Sequence, residues 1–221
     1  MREVKQIAYN RSNRNGNEIK YIVIHDTSNY AKGANADRHY LYFNSGDRNA
    51  SADFFVDDKQ VLCVNNYYKY YTWHVGDGKG KYGITNANSI GIEICVNSDG
   101  DREKAIERTI VLVQQLMVEL NIPIERVVRH YDASRKNCPA SMKENNWAEW
   151  YEFKKKIIEE EQSMAQTIYN KVDDVPEYAR PTIQKLLDKG FLKGDDKGLL
   201  NLSVDMLRTF VVLDRSGAFD K

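Results

Sequence analysis

Apolar and polar positions along the chain follow two periods, one near two residues and one near 3.6. Tyr21-Ile22-Val23-Ile24 is a short β-rich run that predicts a buried strand. It stops at the polar cluster His25-Asp26-Thr27-Ser28-Asn29, so His25 stands at a strand's carboxyl end, where open α/β sheets carry their chemistry. Residues 34–43 predict a helix that ends near Gly46. Phe54-Phe55-Val56 and Val61-Leu62-Cys63-Val64 flank Asp57-Asp58-Lys59-Gln60 and predict a hairpin. In Ile90-Gly91-Ile92-Glu93-Ile94-Cys95-Val96 the three isoleucines and Val96 share one face, while Gly91, Glu93 and Cys95 share the other. Ile106, Ile110, Val113, Met117 and Leu120 keep the helical period over 103–120, and Asn121 and Pro123 terminate it. Val127-Val128-Arg129 predicts a strand leading to His130, and a helix follows over 147–158. The Gly- and Lys-rich stretch 77–88 reads as a surface loop.

The pattern changes at Glu159-Glu160-Glu161-Gln162-Ser163, which sets a domain boundary near residue 162. Residues 1–160 form an α/β domain, a mixed central sheet flanked by helices. Residues 164–221 form a small, mainly helical C-terminal domain, with helices over 176–188 and 203–213. Gly190 suits the end of the first, and Ser203 can cap the second. The glutamate triplet precedes Met164, and its purine-rich codons would suit a ribosome-binding site. Translation from Met164 would then yield the C-terminal module alone. The same triplet also reads as the end of a helix and the start of a solvated linker.

Composition narrows the function. Lys+Arg and Asp+Glu both number 32, so the chain lacks the basic excess of a general nucleic-acid binder. No run approaches the roughly 18 apolar residues of a membrane span. The opening Met1-Arg2-Glu3-Val4-Lys5-Gln6 has no apolar signal region, which predicts a protein held in the cytoplasm until something releases it. Neither a nucleic-acid nor a membrane partner is expected. Three cysteines argue against a disulfide framework, and Cys63 and Cys95 read as buried small hydrophobes. The aromatic cluster Tyr67-Tyr68-Lys69-Tyr70-Tyr71 suits stacking on sugars and packing over a sheet edge equally well.

Three residues stand out chemically. His25 and His130 each follow a strand, so both can project from one sheet edge, and the loop after His130 can return Cys138 to it. Imidazole and thiolate are preferred zinc ligands, and three protein ligands plus water mark a catalytic site. The spacing by itself also fits a hydrogen-bonding histidine and a structural Cys-Pro.

The surrounding residues add a resemblance. Ile22-Val23-Ile24-His25-Asp26-Thr27, Thr72-Trp73-His74-Val75-Gly76, Ser89-Ile90-Gly91-Ile92-Glu93-Ile94 and Arg129-His130-Tyr131-Asp132 through Lys136-Asn137-Cys138-Pro139 occur in this order. Together, over about residues 1–158, they resemble the type 2 N-acetylmuramoyl-L-alanine amidases, the zinc amidases of phage endolysins and bacterial autolysins. The resemblance implies a zinc site at one sheet edge held by His25, His130 and Cys138. It implies that Glu93 is the catalytic acid–base, that Lys136 lies near the scissile carbonyl, and that Trp73 and His74 wall the substrate groove. The implied substrate is bacterial peptidoglycan, cut between N-acetylmuramic acid and L-alanine; the implied setting is the host cytoplasm until release, then the cell wall. Many relatives carry Tyr-His where this chain has Ala52-Asp53. The assisting tyrosine is therefore absent, and Asp53 is open to a role behind a ligating histidine. The stretch from Val175 to Gly194 resembles a module found behind several cell-wall hydrolases, and also S-layer-homology repeats. That implies wall targeting or self-association, as a homo-oligomer or with a free module starting at Met164. A peptidoglycan sensor that does not cut, a host autolysin and a metal-free glycosidase are the competing readings.

Overall fold

Strand formation here begins from runs that bury both faces. The computed structural model describes residues 2–165 and 167–220, with the side chains of Arg2 and of residues 160–165 outside the description. In chain order the first unit contains β1 (Arg2–Val4), β2 (Arg11–Asn13), β3 (Tyr21–Asp26), α1 (Ala36–Phe43), β4 (Phe54–Val56), β5 (Val61–Cys63), β6 (Tyr70–Thr72) and β7 (Ser89–Ile94). It continues with α2 (Arg102–Leu120), β8 (Val127–Arg129), α3 (His130–Ser134) and α4 (Glu144–Ala165). The sheet order is β1-β5-β4-β7-β3-β8, and β2 pairs with β6 apart from it. Only the β4–β5 hairpin is antiparallel within the six strands; the remaining pairs are parallel. This is the mixed α/β architecture expected.

The sheet is sandwiched. Ile22, Ile24, Ile90, Ile92 and Ile94 meet Ile110, Val113 and Leu116 of α2 and Trp150, Phe153 and Ile157 of α4 in one core cluster. Each such side chain, fully buried, contributes roughly 1.5–3 kcal/mol. On the opposite face Phe55, Leu62 and Cys95 pack with Ala36 and Tyr40 of α1. That face also carries Val23 and His25, and two-residue alternation along β7 adds Ser89, Gly91 and Glu93 to it.

The element ends follow local chemistry. Asp101 caps α2 by accepting from Lys104 N–H, and Asn121 closes it in the left-handed region at φ 53°. The helix expected over 147–158 lies within α4 and starts where expected. Asn145, Asn146 and Trp147 all have positive φ, so regular helix begins only after them. Within the tyrosine cluster Tyr67 is buried and Tyr68 is exposed. Tyr67 lies against Phe54 with ring centroids 5.5 Å apart, Tyr67 and Tyr68 both donate to Glu119 Oε1, and Tyr70-Tyr71-Thr72 forms β6.

The chain divides into two compact units, Met1–Ile157 and Ile158–Lys221. The second contains β9 (Ile168–Tyr169), α5 (Arg180–Asp188), β10 (Leu202–Ser203) and α6 (Val204–Arg215). Its core joins Val175, Ile183, Leu186, Leu202, Leu207 and Val211. Ser203 caps α6 by accepting from Met206 N–H at 3.2 Å, and Gly190 takes a φ of 69° just beyond α5. The expected internal start at Met164 falls on residues whose side chains lie outside the described residues.

Candidate metal centre and catalytic groove

Register assembles the site. In the parallel ladder His25 pairs with Glu93 across β3–β7, and Ile24 pairs with Arg129 across β3–β8. His130, one residue past Arg129, therefore emerges beside His25, and their ring centroids are 4.6 Å apart. Three neighbouring carboxyl ends thus carry His130, His25 and Glu93. The Cys138 loop turns back on itself: Tyr131 N–H donates to Cys138 C=O at 3.0 Å. Past the cysteine, Ser141 N–H donates to Asp26 Oδ2 at 2.6 Å, which ties this segment to the end of β3. Cys138 Sγ then sits 3.7 Å from His25 Nδ1. One donor atom each from His25, His130 and Cys138 lies within 4.8 Å of the others, and all three residues are buried.

The donor set fits a zinc ion. His130 Nε2 is held by Asp77 Oδ1 at 2.8 Å, and Asp77 is fixed in turn by Ser134 Oγ at 2.9 Å. His130 Nδ1 is buried without a partner. An orphaned acceptor in a dry site is costly unless a ligand meets it. A carboxylate behind a ligating imidazole is a common orienting device. Burial, then His130 and His74, pushes the pKa of His25 well below its ordinary value; burial also lowers that of His130 against the pull of Asp77. Both rings are neutral, the form that binds metal. Burial first, then Glu93, pushes the Cys138 thiol up, so thiolate forms there only with a cation to hold it.

Glu93 is half-buried, with Oε2 unpartnered. Burial first, then Asp26, raises its pKa to about 8, against the opposing charge of Lys136. Lys136 itself is exposed, and its charge is felt at Glu93, His25 and Cys138. Glu93 also forms part of the wall of a cavity of about 640 Å³, with Thr27, Lys32, Arg38, His39 and Tyr42 around it. This groove beside α1 was not legible in the sequence, because part of its wall comes from a helix in which no side chain stood out chemically.

Trp73 and His74, expected to wall the substrate groove, are not among the residues lining this cavity. His74 is only 7 % exposed, and its Nδ1 faces His25 Nε2 while its Nε2 faces Ser89 Oγ, each at 3.1 Å. It lies under His25, and its ring is not free to wall a groove. Burial, then His130 and Arg14, lowers its pKa to about 3, so it is neutral. Trp73 is half-buried, with its indole N–H donated to Ser12 Oγ at 3.0 Å. Asp53 touches no histidine among its described partners. It is fully buried and accepts from Asn65 Nδ2, Thr72 Oγ1 and Gly91 N–H at 2.7, 2.8 and 2.9 Å. Asp26 and Asp77 were missed because nothing in their local sequence marks a carboxylate that will close on a distant residue. Gly78 shows how Asp77 gets there: a Cβ at residue 78 would stand 2.3 Å from Ala133 O, so only glycine permits this approach to α3.

Known proteins bear on this geometry. Residues 15–141 match the N-acetylmuramoyl-L-alanine amidase family. The amidase CwlH of Bacillus subtilis (strain 168) is 43% identical over 125 residues, covering 55% of this chain and 48% of CwlH. XlyA of the same organism is 42% identical over 125 residues, covering 55% of this chain and 40% of XlyA. This chain spans about half the length of the curated relatives it matches. The solved catalytic domain of XlyA superposes with a TM-score of 0.61 at 37% identity, over 71% of this chain and 99% of that domain. PlyL superposes with a TM-score of 0.56 at 30% identity, over 71% of this chain and 94% of PlyL. With the matched segment spanning β3 through Cys138, this chain belongs to the N-acetylmuramoyl-L-alanine amidase family.

Proposed function

We propose that this chain hydrolyses the amide between N-acetylmuramic acid and the L-alanine of the peptidoglycan stem peptide, with zinc held by His25, His130 and Cys138. The observation that carries this reading is the pair of unmet groups at adjoining strand ends, His130 Nδ1 and Glu93 Oε2, one facing a three-donor cluster and one beside a groove. Zinc, when bound, lowers the pKa of water to roughly 7 and polarises a carbonyl oxygen. Glu93 is the proton carrier: it takes a proton from the attacking water and passes it to the L-alanine nitrogen as the C–N bond breaks. Its metal-free pKa of about 8 falls toward neutrality beside a divalent cation, which suits both halves of that task. Lys136 brings positive charge to the carbonyl oxygen as it becomes an oxyanion. Asp77 holds His130 in one orientation through Nε2.

The reading extends to the setting: a phage or prophage endolysin of a Gram-positive host, held in the cytoplasm and then released to the wall. The second unit serves as a wall-targeting or self-association module. Mass spectrometry of peptidoglycan digested with and without a chelator tests the activity. New L-alanine amines that vanish with chelator are expected; new reducing sugar ends that ignore chelator would mean a glycosidase and overturn it.

A further inference from the structure

We infer that Ser89 and His74 form a hydrogen-bond chain that fixes the proton of His25 on Nε2 and so keeps Nδ1 bare toward the metal cluster. The inference rests on the zinc reading above for its purpose, though not for its geometry. Ser89 Oγ lies 2.5 Å from Thr85 C=O. Two oxygens that close require a hydrogen between them, and only the serine has one to give. With its proton spent, Ser89 Oγ can only accept from His74, so His74 carries its proton on Nε2. A neutral imidazole has one donor and one acceptor. His74 Nδ1 is therefore the acceptor, and at 3.1 Å it takes the Nε2–H of His25. His25 Nδ1 is left with a free lone pair, and that is the atom 3.7 Å from Cys138 Sγ. The polarity of the whole chain is set by one backbone carbonyl.

The fold clears room for it. A Cβ at Gly91 would lie 2.7 Å from His74 Cγ and 2.8 Å from its Nδ1. Ser89, Gly91 and Glu93 thus divide one strand face between them: the first anchors His74, the second makes space for its ring, and the third moves the proton. Ser89 and His74 act through His25 and are positioning residues.

The experiment uses the full chain. Histidine NMR on the isotope-labelled, metal-free protein reads the tautomers, and competition with a chromophoric chelator reads zinc affinity. The expected wild-type result is a proton on Nε2 of both His25 and His74. Ser89→Ala and His74→Leu should each weaken zinc binding by roughly 10- to 100-fold. His74→Asn, whose side-chain oxygen can stand where Nδ1 stood, should recover most of that loss. A wild-type His25 protonated on Nδ1 overturns the inference, and so do zinc affinities within about threefold of wild type in both Ser89→Ala and His74→Leu. Should the variants fail to fold, the wild-type tautomers decide alone. If the wild type bound no zinc but showed the stated tautomers, the zinc reading would fall and the chain would stand.

Discussion

Two carboxylates, the fully buried Asp53 and the half-buried Glu93, lie close together in the sheet, and they are opposites. Asp53 precedes β4 and is met by three donors, with the buried Arg14 adding positive charge. Glu93 on β7 keeps one oxygen unpartnered, and the charge of Asp26 pushes it further toward the neutral acid. Burial raises the pKa of both, but at Asp53 the donors oppose it. Burial alone therefore says little about role. The number of hydrogen bonds left unmade separates a carboxylate that joins strands from one suited to the proton transfer proposed for Glu93. Asp53 links the Asn65 segment, β6 and β7.

The contrast is open to direct tests. The largest effect is expected from the metal cluster itself. Cys138→Ser should abolish wall lysis and remove bound zinc, because a neutral hydroxyl is a far poorer ligand than a thiolate. Metal analysis beside a turbidity assay checks it, and full activity in the variant would end the assignment.

Glu93→Gln should lose on the order of 10²-fold or more in turnover while keeping zinc and fold, the usual loss for an acid–base group. It also carries a pH signature in metal-free protein. The folded pKa, about 8, lies above the ordinary 4.5, so the folded state binds the extra proton between those values. Stability should fall as pH rises through that window, by at most about 1.4 kcal/mol per pH unit. Glu93→Gln should flatten that slope in urea titrations run with chelator; an unchanged slope would show that another group sets it.

Asp77→Ala should act on affinity rather than on chemistry. Losing the carboxylate behind His130 is expected to weaken zinc binding roughly 10- to 100-fold. Turnover at saturating zinc should return toward wild type, and a defect that added zinc leaves untouched would place Asp77 in the reaction instead.

Asp53→Asn should be the mildest on lysis. An amide puts a donor where three donors already converge, a cost of about 1–3 kcal/mol in unfolding free energy. Turnover per folded molecule should hold. If Asp53→Asn were as inactive as Glu93→Gln while still folded and zinc-loaded, the division between the two carboxylates would collapse.

Much of this was legible in the chain. Period-two and period-3.6 patterns located β3, β7, β8 and α2 to within a few residues, since one-sided burial repeats locally. Strand ends at His25 and His130 put two candidate ligands on one side of a sheet, and the four ordered motifs supplied the family. The short strands β1, β2 and β6 were not legible. They are edge or satellite pieces of three residues each, and a partner strand rather than an apolar pattern makes them strands. The same holds for α3, which begins at His130 itself where a loop was expected.

The sequence determined which residue types stand at the strand ends, because side-chain period and turn chemistry act over a few residues. Only the tertiary structure decided which nitrogen of each histidine faces the cluster, that His74 lies beneath His25, and that Asp77 holds His130 while Asp26 holds the segment after Cys138. Those choices join residues 53 positions apart for His130 and Asp77, and 113 apart for Cys138 and His25. A hydrogen bond selects its partner by position within a few tenths of an ångström. That precision comes from strand register and loop closure, which no local stretch of chain encodes.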